Sequence, residues 1–258
     1  MKPVIRIVNR LRIAPFRFLG FLFQAKTLNI VTAADSNYFR SMLQLINSIK
    51  AINPKSIKIV AYDLGLLDNQ IVKFNLMHPE ISLKKFDFKK YPSFYDIKIN
   101  AGEYGWKSAI CKMEYEGLMQ HDLFLWLDAG CFVRKKLYLI RSAILFFGFY
   151  SPLSGGSISK LTHPDTIHLL ELTNLESSEM LSAGLIGLKK NVKNDQLVSE
   201  WEIYSRDKHI LAPTLSNKSN HRQDQSLLSL LAYKIYRRNI FPLISKKWLE
   251  VLPHRNID

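Results

Sequence analysis

The stretch LFLWLDAG, residues 123–130, constrains this chain more than any other. Five consecutive apolar residues run into an aspartate, a small residue and a glycine. An apolar run this short, with no polar alternation, suits a strand buried on both faces, as in the middle of a parallel sheet. Asp128 then stands at the end of the most rigid element available. The following Ala129 and Gly130 let a ligand approach the backbone closely.

The flanking sequence supplies a rhythm for that strand. LNIVTAADSNYF (28–39) begins β-branched and apolar and ends small and polar. Phe39, Met42, Leu43, Leu45, Ile46 and Ile49 then recur at helical spacing, with Asp35, Ser36 and Asn37 as natural caps. SIKIVAYDLGL (56–66) predicts a second strand, Asp68 a cap for the helix NQIVKFNLM, and ISLKKFDF (81–88) a third strand. Strands alternating with helices argue for βαβ units and a largely parallel sheet. Residues 89–105 form a long polar and aromatic loop, expected to be functional or folded onto the domain. WKSAICKMEYEGLMQ predicts a helix with Trp106, Ala109, Ile110, Met113 and Gly117 on one face. Beyond LFLWLDAG, KKLYLIRSAILFFGFY predicts a helix and a strand, and 151–168 a loop-rich stretch flexible at Gly155–Gly156. EMLSAGLIGLKK (179–190) reads as one strand carrying SAG. NDQLVSEWEIYSRDKHIL reads as a helix with Leu197, Val198, Trp201 and Tyr204 on one face, and NHRQDQSLLSLLAYKIY as a polar approach to an apolar helix. With no repeat or interdomain linker, residues 27–258 are expected to form a single domain.

Composition narrows the partners. The chain has 258 residues, with 36 Lys plus Arg against 22 Asp plus Glu, a formal net charge of +14. Such a surface attracts polyanions: nucleic acid, an anionic membrane face or phosphorylated substrates. The basic residues are scattered, and no run reaches the length of a nucleic-acid tail, so nucleic acid is not an expected partner. Residues 1–26 are basic and aromatic, and Arg10, Arg12 and Arg17 interrupt an apolar stretch too short to span a membrane. They read as an amphipathic arm on an anionic membrane surface, or as a segment packed on the domain. Cys111 and Cys131 form no CxxC pair and no zinc spacing, which fits reduced, buried thiols in a cytoplasmic protein.

Asp35, Asp63 and Asp128 each follow an apolar strand, so all three fall where open α/β sheets bind ligands. A carboxylate there can hold a divalent cation that bridges nucleotide phosphates, or it can cap a turn. Neither G-x-G-x-x-G nor G-x-x-x-x-G-K-[ST] occurs, which argues against a dinucleotide site or a P-loop. The histidines, among them His163, His168, His209, His221 and His254, form no H-E-x-x-H pattern and read mostly as surface or packing residues.

The ordered set IVTAADSNYF, IVAYDLGL, YGWKSAI, LFLWLDAG, SAGLIGL and RQDQSLL, spanning roughly residues 28–231, resembles the GT-A type of nucleotide-sugar-dependent glycosyltransferases. The resemblance implies a Rossmann-like α/β sandwich whose central, mostly parallel sheet is flanked by helices. It implies a nucleotide-sugar site built from Thr32, Ala33, Asp35, Asn37, Tyr38, Asp63, Lys107, Asp128, Ala129, Gly130, Ser182 and Gly184. Asp224 and Gln225 would stand beside the reacting sugar, Asp224 as base if the enzyme inverts, and His163 would face the acceptor. LDAG stands where the family has its Asp-x-Asp metal motif, and Gly130 departs from it. Asp128 would then bind Mn or Mg with His254 or Asp224, or Lys and Arg would stabilise the leaving diphosphate instead.

The function so implied is hexosyl transfer from a nucleotide sugar, UDP-linked by preference, to a glycan or glycolipid hydroxyl. The setting would be surface polysaccharide or lipopolysaccharide assembly, at the inner face of a membrane. Two other readings stay open: a nucleotidyltransferase or other sugar-nucleotide enzyme, and a non-catalytic basic scaffold on membrane or nucleic acid.

Overall fold

The computed structural model describes residues 26–52, 56–236 and 250–257. The arm expected over 1–26 lies, except for Lys26, outside the described residues. Among these residues no helix is long and apolar enough to cross a membrane.

The strands are β1 (Leu28–Ala34), β2 (Ile57–Asp63), β3 (Ser82–Lys85), β4 (Leu123–Leu127), β5 (Phe132–Val133), β6 (Phe149–Tyr150), β7 (Leu153–Ser157), β8 (Glu179–Leu181), β9 (Leu185–Lys189) and β10 (Val251–Leu252). The longer helices are α1 (Phe39–Ala51), α2 (Asp68–Met77), α3 (Gly105–Glu116) and α4 (Tyr138–Phe147). Short turns α5 (Ile158–Leu161) and α6 (Pro164–Leu169) follow, then α7 (Val192–Ser205), the short α8 (Lys208–Leu211) and α9 (Gln223–Tyr236).

The central sheet has six strands in the order β3-β2-β1-β4-β9-β6. The first four are mutually parallel, and β9 runs antiparallel to both β4 and β6. The fold is thus α/β, with a mostly parallel sheet flanked by helices, as expected. β4 is buried at all five positions. Phe124 and Trp126 point into a core shared with α3, α7 and α9, while Leu123, Leu125 and Leu127 point into one shared with α1 and α4. Its composition reflects this: with helices on both faces there is no side on which a polar residue could be solvated.

Several local readings change. EMLSAGLIGLKK is two strands, β8 and β9, separated at Ser182–Gly184, because β8 pairs with β7 whereas β9 enters the central sheet. The joint is fixed by Ser182 N–H donating to the Pro152 carbonyl and Asp128 N–H donating to that of Gly184. In α3, Met113 is 41% exposed, and Cys111 and Tyr115 are buried instead. The Tyr115 hydroxyl donates to Asp195 at 2.7 Å, which docks α3 on α7 and sets its rotation. Asp68 is the first helical residue of α2 rather than its cap; Leu67 caps it, and the Gln70 side chain accepts from Leu67 N–H.

The expected loop 89–105 folds into three tight turns. The last is left-handed: Asn100, Ala101, Glu103 and Tyr104 have φ of 46°, 55°, 48° and 57°. Such a conformation costs roughly 1–2 kcal/mol per non-glycine residue, so packing must hold it. Gly102 lies within the turn, and a Cβ there would strike the Tyr95 backbone.

Residues 250–257 form a strap. β10 pairs with β5, and the buried Glu250 carboxylate accepts from Leu139 and Ile140 N–H at the start of α4. At the other end, Ile257 N–H donates to the Ser41 hydroxyl of α1.

Gly187 of β9 lies under α4, where a Cβ would come within 2.5 Å of Ile144 Cγ1. Gly187→Val should therefore lower unfolding stability by about 1–3 kcal/mol through overpacking, read by denaturant unfolding. At Gly155 of β7 a Cβ would meet nothing within 4 Å, so the cost of Gly155→Ala would come from its φ of 87° and not from overpacking.

Candidate functional site

A cavity of about 610 Å³ lies at the carboxyl ends of β1 and β4. Its chemical centre is a buried ammonium. α3 directs Lys107 under the sheet end, where only 4% of its side chain meets solvent. Its Nζ lies 3.1 Å from Asp128 Oδ1 and 2.7 Å from Asp224 Oδ2. The Trp126 indole N–H donates to Asp128 Oδ1 at 2.7 Å, so β4 orients the carboxylate it carries. The rings of Tyr104 and Trp126 flank the ammonium, their centroids 5.6 and 5.8 Å away.

Opposing effects set the charges here. Burial alone would depress the Lys107 pKa, but Asp128 and Asp224 outweigh it and hold the ammonium above its ordinary range. Burial raises the Asp224 pKa, and Lys107 only partly offsets this. Asp224 occupies the first turn of α9, where the helix dipole also favours a carboxylate. Its Oδ2 makes the ion pair without hydrogen-bond alignment. Asp128 differs, because 43% of its side chain is open to the cavity.

Most of the expected site residues meet here. Ala33, Asp35, Tyr38, Lys107, Asp128, Ala129, Gly130, Ser182, Gly184, Asp224, Gln225 and His254 all line the cavity. Gly184 keeps the wall thin beside Asp128, since a Cβ there would lie 3.0 Å from Asp128 Oδ2.

Four residues stand elsewhere. Thr32 is fully buried within β1. Asn37 points to solvent and donates to Asp35, whose Oδ1 also accepts from Tyr38 N–H. Asp63 is a buried turn cap: its Oδ1 accepts from Gly65 and Leu66 N–H, and Leu64 rather than Asp63 reaches the cavity. The three strand-end aspartates are therefore not one cluster. His163 caps α6 and donates its backbone N–H to His221 Nδ1. His221 is fully buried, and burial pushes its pKa down to about 4, so its neutral ring accepts this bond as a structural contact.

The divalent cation implied by Asp128 and His254 can be tested against the donors present. Both residues line the cavity, but among the described residues no three His, Cys, Asp or Glu side chains gather as ligands. Where a second carboxylate would start, a Cβ on Gly130 would run into the Asn256 side-chain oxygen. Arg255 N–H donates to the Gly130 carbonyl at 2.6 Å, which locks the strap in that place. These residues do not fit a two-carboxylate metal site.

The structure adds residues that the sequence reading missed. Tyr104, Lys218, Arg222 and Asn256 also line the cavity. Arg222 lies in the RQDQ motif and could have been noticed there. Lys218 sits in a polar loop, and Asn256 reaches the site only through the strap, so neither carries a local signal.

A protein family described as "Protein of unknown function (DUF1647)" matches residues 21–112. No curated protein matches the chain in sequence. Among solved structures, the bifunctional glycosyltransferase WbbM superposes with a TM-score of 0.55 at 17% identity, over 81% of this chain and 38% of that one. This chain therefore spans less than half the length of WbbM. The galactosyltransferase LgtC, solved with donor and acceptor sugar analogues, gives 0.51 at 18% identity, over 79% of this chain and 70% of that one. The mannosyltransferase Ktr4p from S. cerevisiae gives 0.51 at 10% identity, over 86% and 75%. At these identities the likeness is one of fold: the chain has the α/β architecture of these glycosyltransferases.

Lys107→Met leaves Asp224 buried without its cation, so it should cost roughly 3–5 kcal/mol of unfolding stability. Lys107→Met combined with Asp224→Leu should recover much of that loss. Thermal or denaturant unfolding of the two variants checks both expectations.

Proposed function

We propose that the chain is a hexosyltransferase that uses a nucleotide sugar, UDP-linked by preference, and a hydroxyl of a glycan or glycolipid acceptor. The observation that carries this reading is the buried Lys107 between Asp128 and Asp224, beneath a cavity at the strand ends of a fold shared with glycosyltransferases. The solved neighbours that hold donor analogues or GDP support a nucleotide-sugar donor.

In this reading the base lies against Tyr38, which is exposed at the cavity lip, and against Leu64. The small residues Ser182–Gly184 admit the sugar beside Asp128. Lys218 and Arg222, exposed and without ion pairs among the described residues, meet the diphosphate. Two cations there stabilise the charge that grows on the leaving group, as a metal otherwise would. The acceptor oxygen attacks the anomeric carbon. The bond from that carbon to the phosphate oxygen breaks, and its electron pair leaves with the diphosphate. In an inverting reaction Asp224 takes the acceptor proton, and its raised pKa makes it a stronger base than an ordinary aspartate. Gln225, held by its side-chain bond to Ser154, positions the sugar. The net charge of +14 supports work at the inner, anionic face of a membrane in surface polysaccharide or lipopolysaccharide assembly.

UDP should raise the melting temperature equally in EDTA and in Mn²⁺, because cationic side chains hold the diphosphate. Asp128→Asn should weaken UDP-sugar binding by roughly tenfold or more, about 1.4 kcal/mol. No thermal response to any UDP, GDP or CMP sugar would sink the transferase reading.

The pH profile gives a second test. If Asp224 is the base, transfer falls as pH drops through its pKa, so the acid limb should lie above the ordinary aspartate value of about 3.9. A limb at or below that value removes Asp224 from this role.

A further inference from the structure

A second cavity of about 780 Å³ opens beside the first, and of its lining the donor reading uses only Lys218, which the two share. The two share Ala101, Tyr104, Lys218 and Gln223, so they adjoin. A molecule seated in the second lies next to the space that Asp224 and Asp128 face. We propose that this second cavity seats the acceptor and selects a saccharide that carries an anionic group, a phosphate or a carboxylate. The proposal rests on the transferase reading for its catalytic meaning, but not for the binding it foresees.

The construction of the cavity argues for a sugar. Its walls present amides and hydroxyls, among them Asn100, Ser216 and Asn217, suited to a polyhydroxylated ligand. The Tyr104 ring, common to both cavities, offers a flat apolar face of the kind a sugar ring covers. The left-handed turn 100–104 delivers Tyr104 to that place, and Gln223, itself at a φ of 36°, meets the turn from α9. Glu103 joins them. It is buried, and its two carboxylate oxygens accept from Asn100 Nδ2 at 3.1 Å and from Gln223 Nε2 at 3.2 Å. Two strained segments on opposite sides are thus tied by one carboxylate, and the shape is built in before any ligand arrives.

The charge of the outer wall argues for an anion. Glu103 makes no ion pair among the described residues, and its negative charge is taken up by the two amides. Lys208 stands at the exposed wall, without an ion pair among the described residues, and His209 lies next to it. A neutral glycan would leave the Lys208 ammonium to water. A phosphate or carboxylate on the sugar would gain charge-assisted hydrogen bonds from it.

The test is an NMR titration of the full chain, saturated with UDP, using galactose, galacturonate and galactose 6-phosphate. Both charged sugars should perturb the amides of 100–104 and 214–218 and bind roughly fivefold or more tightly than galactose. Raising salt to about 0.5 M should erase that preference, because exposed charges are screened. In Lys208→Gln/His209→Gln, which touches no donor residue, the preference should fall toward one while UDP affinity holds. Galacturonate against galactose 6-phosphate tells which anion the wall favours, and equal binding of the two also supports the proposal. Galactose binding as tightly as the charged sugars, no binding of any of the three, or a preference that survives in the variant would overturn it. Inorganic phosphate binding as tightly as galactose 6-phosphate would also overturn it, by marking a general anion site. Failure of the donor reading appears separately, as a UDP titration with no response.

Discussion

The Lys107 ammonium is the contact on which the site depends. It joins three elements that are remote in sequence: α3, which carries it, β4, which ends at Asp128, and α9, which begins at Asp224. Lys107 or Asp224 alone at that depth would be costly to bury, so the positions of α3 and α9 make sense only together, with Asp128 completing the site from β4. The same contact gives the two aspartates different characters. Asp128 keeps much of its surface open to the cavity, whereas Asp224 is enclosed and its carboxylate is pushed toward the protonated form. Two like residues thereby become a cavity-facing carboxylate and an enclosed one whose pKa is raised.

Around that centre, side-chain volume decides what can enter. Gly184 and Ala183 thin the wall beside Asp128, and Gly130 yields its space to Asn256 from the strap. The strap is anchored at both ends, by Glu250 on α4 and by Ile257 on α1. It therefore closes one side of the cavity with an amide rather than a carboxylate. The positive charge around the cavity then comes from lysine and arginine, which accords with a chain so rich in both.

The architecture was legible because hydrophobic period and burial are local properties. LFLWL could only be a strand covered on both faces, and the alternation of strands and amphipathic helices led to a parallel sheet. Errors came where a distant partner overrides local preference. Nothing in SAG says that β8 and β9 join different sheets, since that depends on Pro152 and Asp128 as hydrogen-bonding partners. Asp63 looks like Asp128 in sequence, yet the Gly65–Leu66 turn uses up its carboxylate. His163 likewise serves a helix start and His221.

By itself the sequence determined the fold class and the placement of Asp35 and Asp128 at the carboxyl ends of their strands, while the family resemblance pointed to Ser182 and Asp224. The strand-end placements follow from periodicity and from the rule that strand ends line the crevice, a rule that also drew in Asp63. Only the tertiary structure decided that Lys107 is a buried partner of two carboxylates rather than a solvated helix-end lysine. It also decided that Asn256 fills the space beside Gly130, and that a left-handed turn and the start of α9 shape a second cavity. The reason is physical: burial, ion pairing and steric exclusion are relations between residues on different elements, and no local window of the chain contains them.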